Sequence, residues 1–313
     1  MQGLWWQTPA LVNELQHLLD LVNDGRLAGK GRELHACRDY FGALDYLSVT
    51  LARVENAGLT TDPIQRSAAT RIADLLKRQE PAQQERFLGM PSVQALATFE
   101  PPILNHRVAG MTQFLTDITD PVRREASREH EEFKTEWTSW RNSGSGRAKT
   151  VSKLCRAVMV VRNSLAHGEK TRAGPDVERV RRNRGVALVV RGVLEDFLDC
   201  ILDWPSRRLC AYGTLQPGQP NHGVIAVNDG QWSSVTLLNG EVQDDGGLPF
   251  FTPAAGKTGK AELFTSEELP DLWRSLDEFE GSAYQRVLGL YQLGGLIGVG
   301  NVYSRPPAEE QWF

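Results

Sequence analysis

At Trp204-Pro205-Ser206 the chain changes character, and this change constrains the fold more than any other feature. Before it, apolar residues recur at spacings of three and four, the period of a helix with one buried stripe. After it, glycine and proline become frequent and short apolar runs alternate with turns, as strands require. At 313 residues the chain is also long for one ordinary core. The fold class that follows is α+β in two domains. An all-α helical bundle is predicted over 1–203, a small mixed β-barrel with one helix over 207–305, and a tail over 306–313.

In the first part, Thr8-Pro9 suits an N-cap and first turn, and Leu11, Leu15, Leu18 and Val22 follow at helical spacing until Gly25. A second helix over 32–56 aligns Tyr40, Leu44, Leu47, Leu51 and Val54. Asp62-Pro63 opens a shorter helix and Pro101-Pro102 interrupts. Further helices are predicted near 104–118 and over 121–141, the latter with Phe133, Trp137 and Trp140 as its apolar stripe. Ser143-Gly144-Ser145-Gly146 reads as a joint. Val151, Leu154, Val158, Val161 and Leu165 then bury one face of a helix ending at Gly168. Gly174-Pro175 separates it from a last helix that reaches about Asp203. Beyond the change, Trp232–Leu238 and Val287–Leu293 read as strands with a helix from Ser266 to about Phe279 between them, and 289–300 is unusually rich in glycine.

Composition bounds the class. Hydrophobic residues at 41% and charged residues at 24% are those of a soluble globular protein. The longest apolar runs, such as Val186–Val190, fall far short of a membrane span, and the N-terminus lacks the pattern of a signal peptide. Cys37, Cys155, Cys200 and Cys210 lie far apart with no Cys-x-x-Cys pair, which points to reduced thiols in a cytoplasmic protein and away from zinc. No metal or cofactor is called for. The net charge of −4 divides unevenly: from residue 206 onward 7 Lys and Arg face 13 Asp and Glu, leaving the rest slightly basic. Within 153–191 ten basic side chains stand against three acidic ones, either a solvated helix face or an attraction for polyanions.

That basic stretch contains Arg162-Asn163-Ser164-Leu165-Ala166-His167-Gly168. Histidine moves protons near neutral pH and arginine grips phosphate without losing its charge, so the pair suits metal-free RNA cleavage. The same residues could instead cap a helix C-terminus. The segment resembles the signature of the HEPN superfamily. The resemblance implies a helical-bundle endoribonuclease whose active site forms between two protomers, with Arg162, Asn163 and His167 as catalytic residues. RNA, a single strand or a tRNA loop, would then lie along Lys170, Arg172, Arg179, Arg181, Arg182 and Arg184. A homodimer through the helical domain and an antitoxin or regulatory partner belong to the same expectation.

A second signature follows the change. Leu209-Cys-Ala-Tyr212-Gly-Thr-Leu215, Pro217-Gly-Gln-Pro-Asn-His222 and Leu269-Pro-Asp-Leu-Trp-Arg-Ser-Leu-Asp277-Glu-Phe-Glu280-Gly-Ser-Ala-Tyr284-Gln-Arg286 stand in order, closed by Val302-Tyr303. These blocks look like the γ-glutamylcyclotransferase, or AIG2-like, family. The resemblance implies that Glu280 is the acid/base and that Tyr212, Gly213, Thr214, Leu215 and Tyr284 bind a γ-glutamyl small molecule. A Tyr-Gly-Thr-Leu turn after a strand offers successive backbone amides to an α-carboxylate. His222 reads as a loop hydrogen-bonder rather than a catalyst.

The main expectation is a toxin-like or defence endoribonuclease whose C-terminal domain regulates it or acts beside it. The alternative is a γ-glutamyl-amide cyclotransferase releasing 5-oxoproline, with the helical domain as a dimerisation or binding module. A metabolite sensor without turnover is the third reading.

Overall fold

The protein is described by a computed structural model over residues 11–28, 31–55, 66–99, 121–166, 177–225, 229–246 and 248–305. The chain divides into two compact units, Asp24–Ile201 and Leu202–Phe313 with Met1–Asn23.

The first unit is helical. After α1 (Val12–Leu27) come α2 (Glu33–Glu55), α3 (Ala68–Lys77), α4 (Pro81–Leu88), α5 (Pro91–Ala97), α6 (Pro121–Ser143), α7 (Arg147–Ala166) and α8 (Val177–Ile201). The predicted stripes of α2, α6 and α7 are buried, Leu44, Phe133, Val151 and Leu154 among them. Val54 departs from its stripe and is 47% exposed. Gly25 does not end α1, which continues through it to Leu27. A Cβ on Gly25 would lie 2.5 Å from Tyr40 Cε1, so the glycine marks a close approach to an aromatic ring and not a stop signal. Helices α4 and α5 were not expected, although each opens on proline at its first turn, a position that needs no amide hydrogen. The helix predicted near 104–118 and the opening at Asp62-Pro63 lie outside the described residues.

Helices α6 and α7 run antiparallel along an ionic ladder. Glu132 pairs with Lys153, Glu136 Oε1 with Lys149 Nζ at 2.6 Å, and Glu129 Oε1 with Arg156 Nη1 at 3.8 Å. Beneath it the fully buried His130 shares a hydrogen bond with the Leu96 carbonyl through Nε2 at 2.8 Å, and Trp137 Nε1 donates to the Leu88 carbonyl at 3.0 Å.

The second unit is a closed barrel of β1 (Arg208–Ala211), β2 (Gln231–Asp245), β3 (Leu248–Thr265), β4 (Gln285–Leu293) and β5 (Leu296–Ser304), with α9 (Leu269–Glu280) between β3 and β4. The strand order is β1-β3-β2-β4-β5, and β5 closes the barrel by pairing in parallel with β1 and β3. The chain enters it through two left-handed residues, Asp203 (φ 62) and Trp204 (φ 58), an unusual backbone at the point where the sequence changes character. The fully buried Asn301 holds this entry, donating from Nδ2 to the Pro205 carbonyl at 2.7 Å.

The glycine-rich run has a packing reason. Gly294 (φ +59) turns the β4–β5 hairpin, and a Cβ on Gly298 would lie 2.2 Å from Tyr291 Cζ, so the ring occupies that space. Strand β4 pairs with β2 only over Leu290–Gln292. At Leu288 the amide of Asn23 in α1 stands in for a strand: Asn23 Nδ2 donates to the Leu288 carbonyl at 3.0 Å and the Leu288 N–H donates to Asn23 Oδ1 at 2.7 Å. Substituting N23A strands both groups at a buried residue, and the expected cost is about 1–3 kcal/mol in denaturant unfolding of the barrel. An unchanged unfolding midpoint would contradict this role for α1.

Candidate functional site

A cleft of about 230 Å³ opens where β1 ends. Tyr212, Gly213, Thr214 and Leu215 leave the sheet here, and their shape is set by bonds that use their carbonyls. Gln216 N–H donates to Gly213 O at 3.1 Å, Asn221 N–H to Thr214 O at 3.0 Å, and His222 shares Nδ1 with Leu215 O at 3.1 Å. Asn221 Nδ2 also donates to Thr214 Oγ1 at 3.0 Å. With the carbonyls turned toward this loop, the amides of Gly213, Thr214 and Leu215 have no acceptor among the described residues. Such a run of free amides is a concavity suited to an anion. Gly213 also approaches Pro249 closely, since a Cβ there would lie 2.9 Å from Pro249 Cγ.

The acidic side of the cleft comes from α9. Leu269, Trp273 and Leu276 recur at helical spacing and pack with Leu209, Leu215, Phe264 and Tyr303. This fixes the helix face, and Gly281 (φ +68) ends the helix directly after Glu280. Glu280 lines the cleft half-buried, and loss of water around it raises its carboxyl above the usual glutamate value. Tyr212 Oη donates to the Tyr303 carbonyl, Tyr303 Oη donates to Asp277 Oδ1 at 2.8 Å, and Tyr284 Oη donates to the Pro249 carbonyl at 3.4 Å. Burial pushes the tyrosine hydroxyls of 212 and 303 upward, with the Glu280 carboxylate contributing to both. Cys210 also lines the cleft, but burial pushes its thiol up to about 12, which leaves almost no thiolate at neutral pH.

The cleft therefore gathers Tyr212, Gly213, Thr214, Leu215, Glu280 and Tyr284 from two separate stretches of chain. Sequence reasoning gave no role to Asp277, Arg286, Pro249 or Tyr303. The first two, with Tyr303, lay inside the family-like blocks. Pro249 carried no signal, because only the fold brings the start of β3 to this turn.

Of the other predicted site only part falls on described residues. Arg162 and Asn163 are exposed near the end of α7, joined by a 3.3 Å bond from Nη1 to Oδ1, while His167, Lys170 and Arg172 lie outside the described residues. Arg179 and Arg182 fall on α8 without described side chains, and Arg181 is exposed. Arg184 pairs with the buried Glu33 at 3.6 Å. With Lys153, Arg156 and Arg191 also paired, part of the local basic excess is spent on carboxylates within the bundle. Among the described residues no cluster of His, Cys, Asp and Glu could hold a metal, and no helix is long and apolar enough to cross a membrane.

Raised by burial, Glu280 opposes folding when ionised. That cost is absent below the unfolded-state pKa and complete above the folded one. E280Q is thus expected to unfold at higher denaturant than the native chain at neutral pH, with the difference narrowing toward about pH 4. A less stable E280Q at neutral pH would overturn the account of a desolvated carboxylate.

Residues 209–305 match the family model described as gamma-glutamyl cyclotransferase, AIG2-like. Among solved structures, an uncharacterised protein from Pyrococcus horikoshii is 17% identical, with a TM-score of 0.26 over 31% of this chain and 76% of its own. An AIG2-like protein from Mus musculus is 24% identical, with a TM-score of 0.27 over 34% of this chain and 81% of its own. No curated protein matches the chain. The cleft and its carboxylate thus lie within a stretch that matches the gamma-glutamyl cyclotransferase, AIG2-like family.

Proposed function

We propose that the cleft binds γ-glutamyl amides and cyclises them, releasing 5-oxoproline and a free amine. The observation that carries this reading is one half-buried carboxylate, Glu280, sharing a small cleft with the free amides of Gly213, Thr214 and Leu215. The match of residues 209–305 to the cyclotransferase family supports it. The substrate's α-carboxylate sits on the amides, which hold negative charge without a cationic side chain. Its α-ammonium faces Glu280 and gives up a proton to it. The freed nitrogen attacks the γ-carbonyl carbon, closing a five-membered ring, and the amide C–N bond breaks as Glu280 returns the proton to the leaving nitrogen. The ring nitrogen then sheds its second proton to the released amine, which leaves as an ammonium. Nucleophile and electrophile belong to one molecule, so the protein needs only to fold the substrate and relay protons from the attacking to the leaving nitrogen. The raised carboxyl suits that exchange better than a fully solvated glutamate.

The ribonuclease expectation is not part of this proposal. Only Arg162 and Asn163 of its three motif residues are described, and Arg184 of its proposed RNA contacts is paired within the bundle.

The test is calorimetry of the full chain with γ-glutamyl amines and γ-glutamyl amino acids, paired with a 5-oxoproline assay. Turnover is expected in the native chain, and E280Q is expected to bind similarly while losing about 10²–10⁴-fold in kcat. Binding without turnover in the native chain would make the domain a sensor, and no binding to any γ-glutamyl compound would defeat both readings.

A further inference from the structure

We infer that Asp277 and Arg286 are a positioning pair that keeps Glu280 usable as a base by cancelling charge beside it, an inference that rests on the acid–base role proposed for Glu280. The last turn of α9 carries three carboxylates, Asp277, Glu278 and Glu280, at the helix end where unpaired carbonyls already present negative potential. Left unpaired, the first two would push the third's carboxyl further up. Each of them has an arginine. Arg274 Nε reaches Glu278 Oε1 at 3.0 Å on the solvent side. Arg286 grips Asp277 with two bonds, Nε to Oδ1 at 2.8 Å and Nη2 to Oδ2 at 3.1 Å, the planar fork that arginine and carboxylate share.

The second pair is built in from behind. The Arg286 guanidinium lies over the Trp273 ring at 4.4 Å, and its Nη1 donates to Asn301 Oδ1 at 3.4 Å. On the cleft side, Tyr303 Oη donates to the same Asp277 Oδ1. Asp277 therefore receives donors from β4 and from β5, which pins the turn from which Glu280 projects. Asp277 and Glu280 stand three residues apart, about 5–6 Å between Cβ atoms. Around Glu280 in the cleft stand Tyr212 after β1, Tyr284 before β4 and Tyr303 of β5, while Asp277 and Glu278 precede it on its own helix, Arg286 pairs with Asp277, and Arg305 acts on Tyr212 and Tyr284. Among the described residues no lysine or arginine lines the cleft. Burial is what raises the Glu280 carboxyl.

The test is carboxyl-carbon NMR titration of the full chain with labelled glutamate, the Glu280 signal being assigned through E280Q. D277N keeps the shape and the acceptor for Tyr303 but leaves Arg286 positive, so the Glu280 titration is expected to move to lower pH. R286Q leaves Asp277 negative, and the titration is expected to move to higher pH. Each displacement should be about half a pH unit, the effect of a unit charge roughly 6 Å away in a water-like dielectric. The double variant D277N/R286Q should return close to the native value, and R286K, which keeps the charge, should move it less than R286Q. The acid limb of kcat/KM for a γ-glutamyl amide should follow the same order. A purely structural pair moves both single variants the same way or not at all, and either result overturns the inference. Should R286Q not fold, D277N and R286K decide it alone. A native chain without turnover would defeat the cyclisation reading, while the NMR titration still decides the charge pairing.

Discussion

Helix α9 is held to the barrel mouth by two kinds of bond, and the cleft exists because both are satisfied at once. Leu269, Trp273 and Leu276 bury one face against Leu209, Leu215 and Phe264, which drives the docking without fixing its angle. Direction comes from polar anchors: Trp273 Nε1 donates to the Ser206 carbonyl at 2.7 Å, and Asp277 is held by Arg286 and Tyr303. A helix free to rotate by a quarter turn would carry Glu280 into water and leave the amides of Gly213–Leu215 facing an apolar wall. The same anchors bridge distant parts of the chain, since Arg286 and Asn301 connect α9 to the left-handed entry at Asp203 and Trp204.

Half-burial is the compromise that makes the carboxylate useful. In full solvent it would be a weak base, and in a sealed apolar pocket it would stay protonated and inert. The tyrosine hydroxyls that border it are engaged with protein acceptors, Tyr212 with the Tyr303 carbonyl and Tyr303 with Asp277, so they shape the wall while their protons are donated elsewhere. Cys210, which could have been a competing nucleophile, is silenced by the same burial. The stability given up at Glu280 is the usual cost of holding a reactive group partly dry.

The architecture was legible where a periodicity had room to repeat. The stripes of α2, α6 and α7 and the change at Trp204-Pro205-Ser206 follow from spacing and turn residues, while the blocks around the cleft were legible only through their resemblance to a known family. Short helices escaped: α4 and α5 are too brief to establish a stripe, and only their prolines announce them. Glycine was misread at Gly25, where a tertiary neighbour, the Tyr40 ring, overrides its meaning as a stop. Within the cleft, the residues carried by the sequence blocks, Tyr212 to Leu215, Glu280 and Tyr284, do converge. Pro249 could not have been found, because its place beside Gly213 depends on closure of the barrel, where the start of β3 meets β5 at Phe251 and Ser304. The pairing of Arg184 with Glu33 was equally invisible, as it joins residues on α2 and α8 that sequence distance hides.

The central claim is that Glu280 moves a proton while the substrate's own amine breaks the γ-amide bond, with no water attacking the carbonyl. Mass spectrometry of the products formed from a γ-glutamyl amide in water enriched with heavy oxygen tests this directly. The account predicts 5-oxoproline that carries no oxygen from the solvent, together with one equivalent of released amine. Glutamate bearing a solvent oxygen in its γ-carboxyl would show hydrolysis instead, and would contradict it.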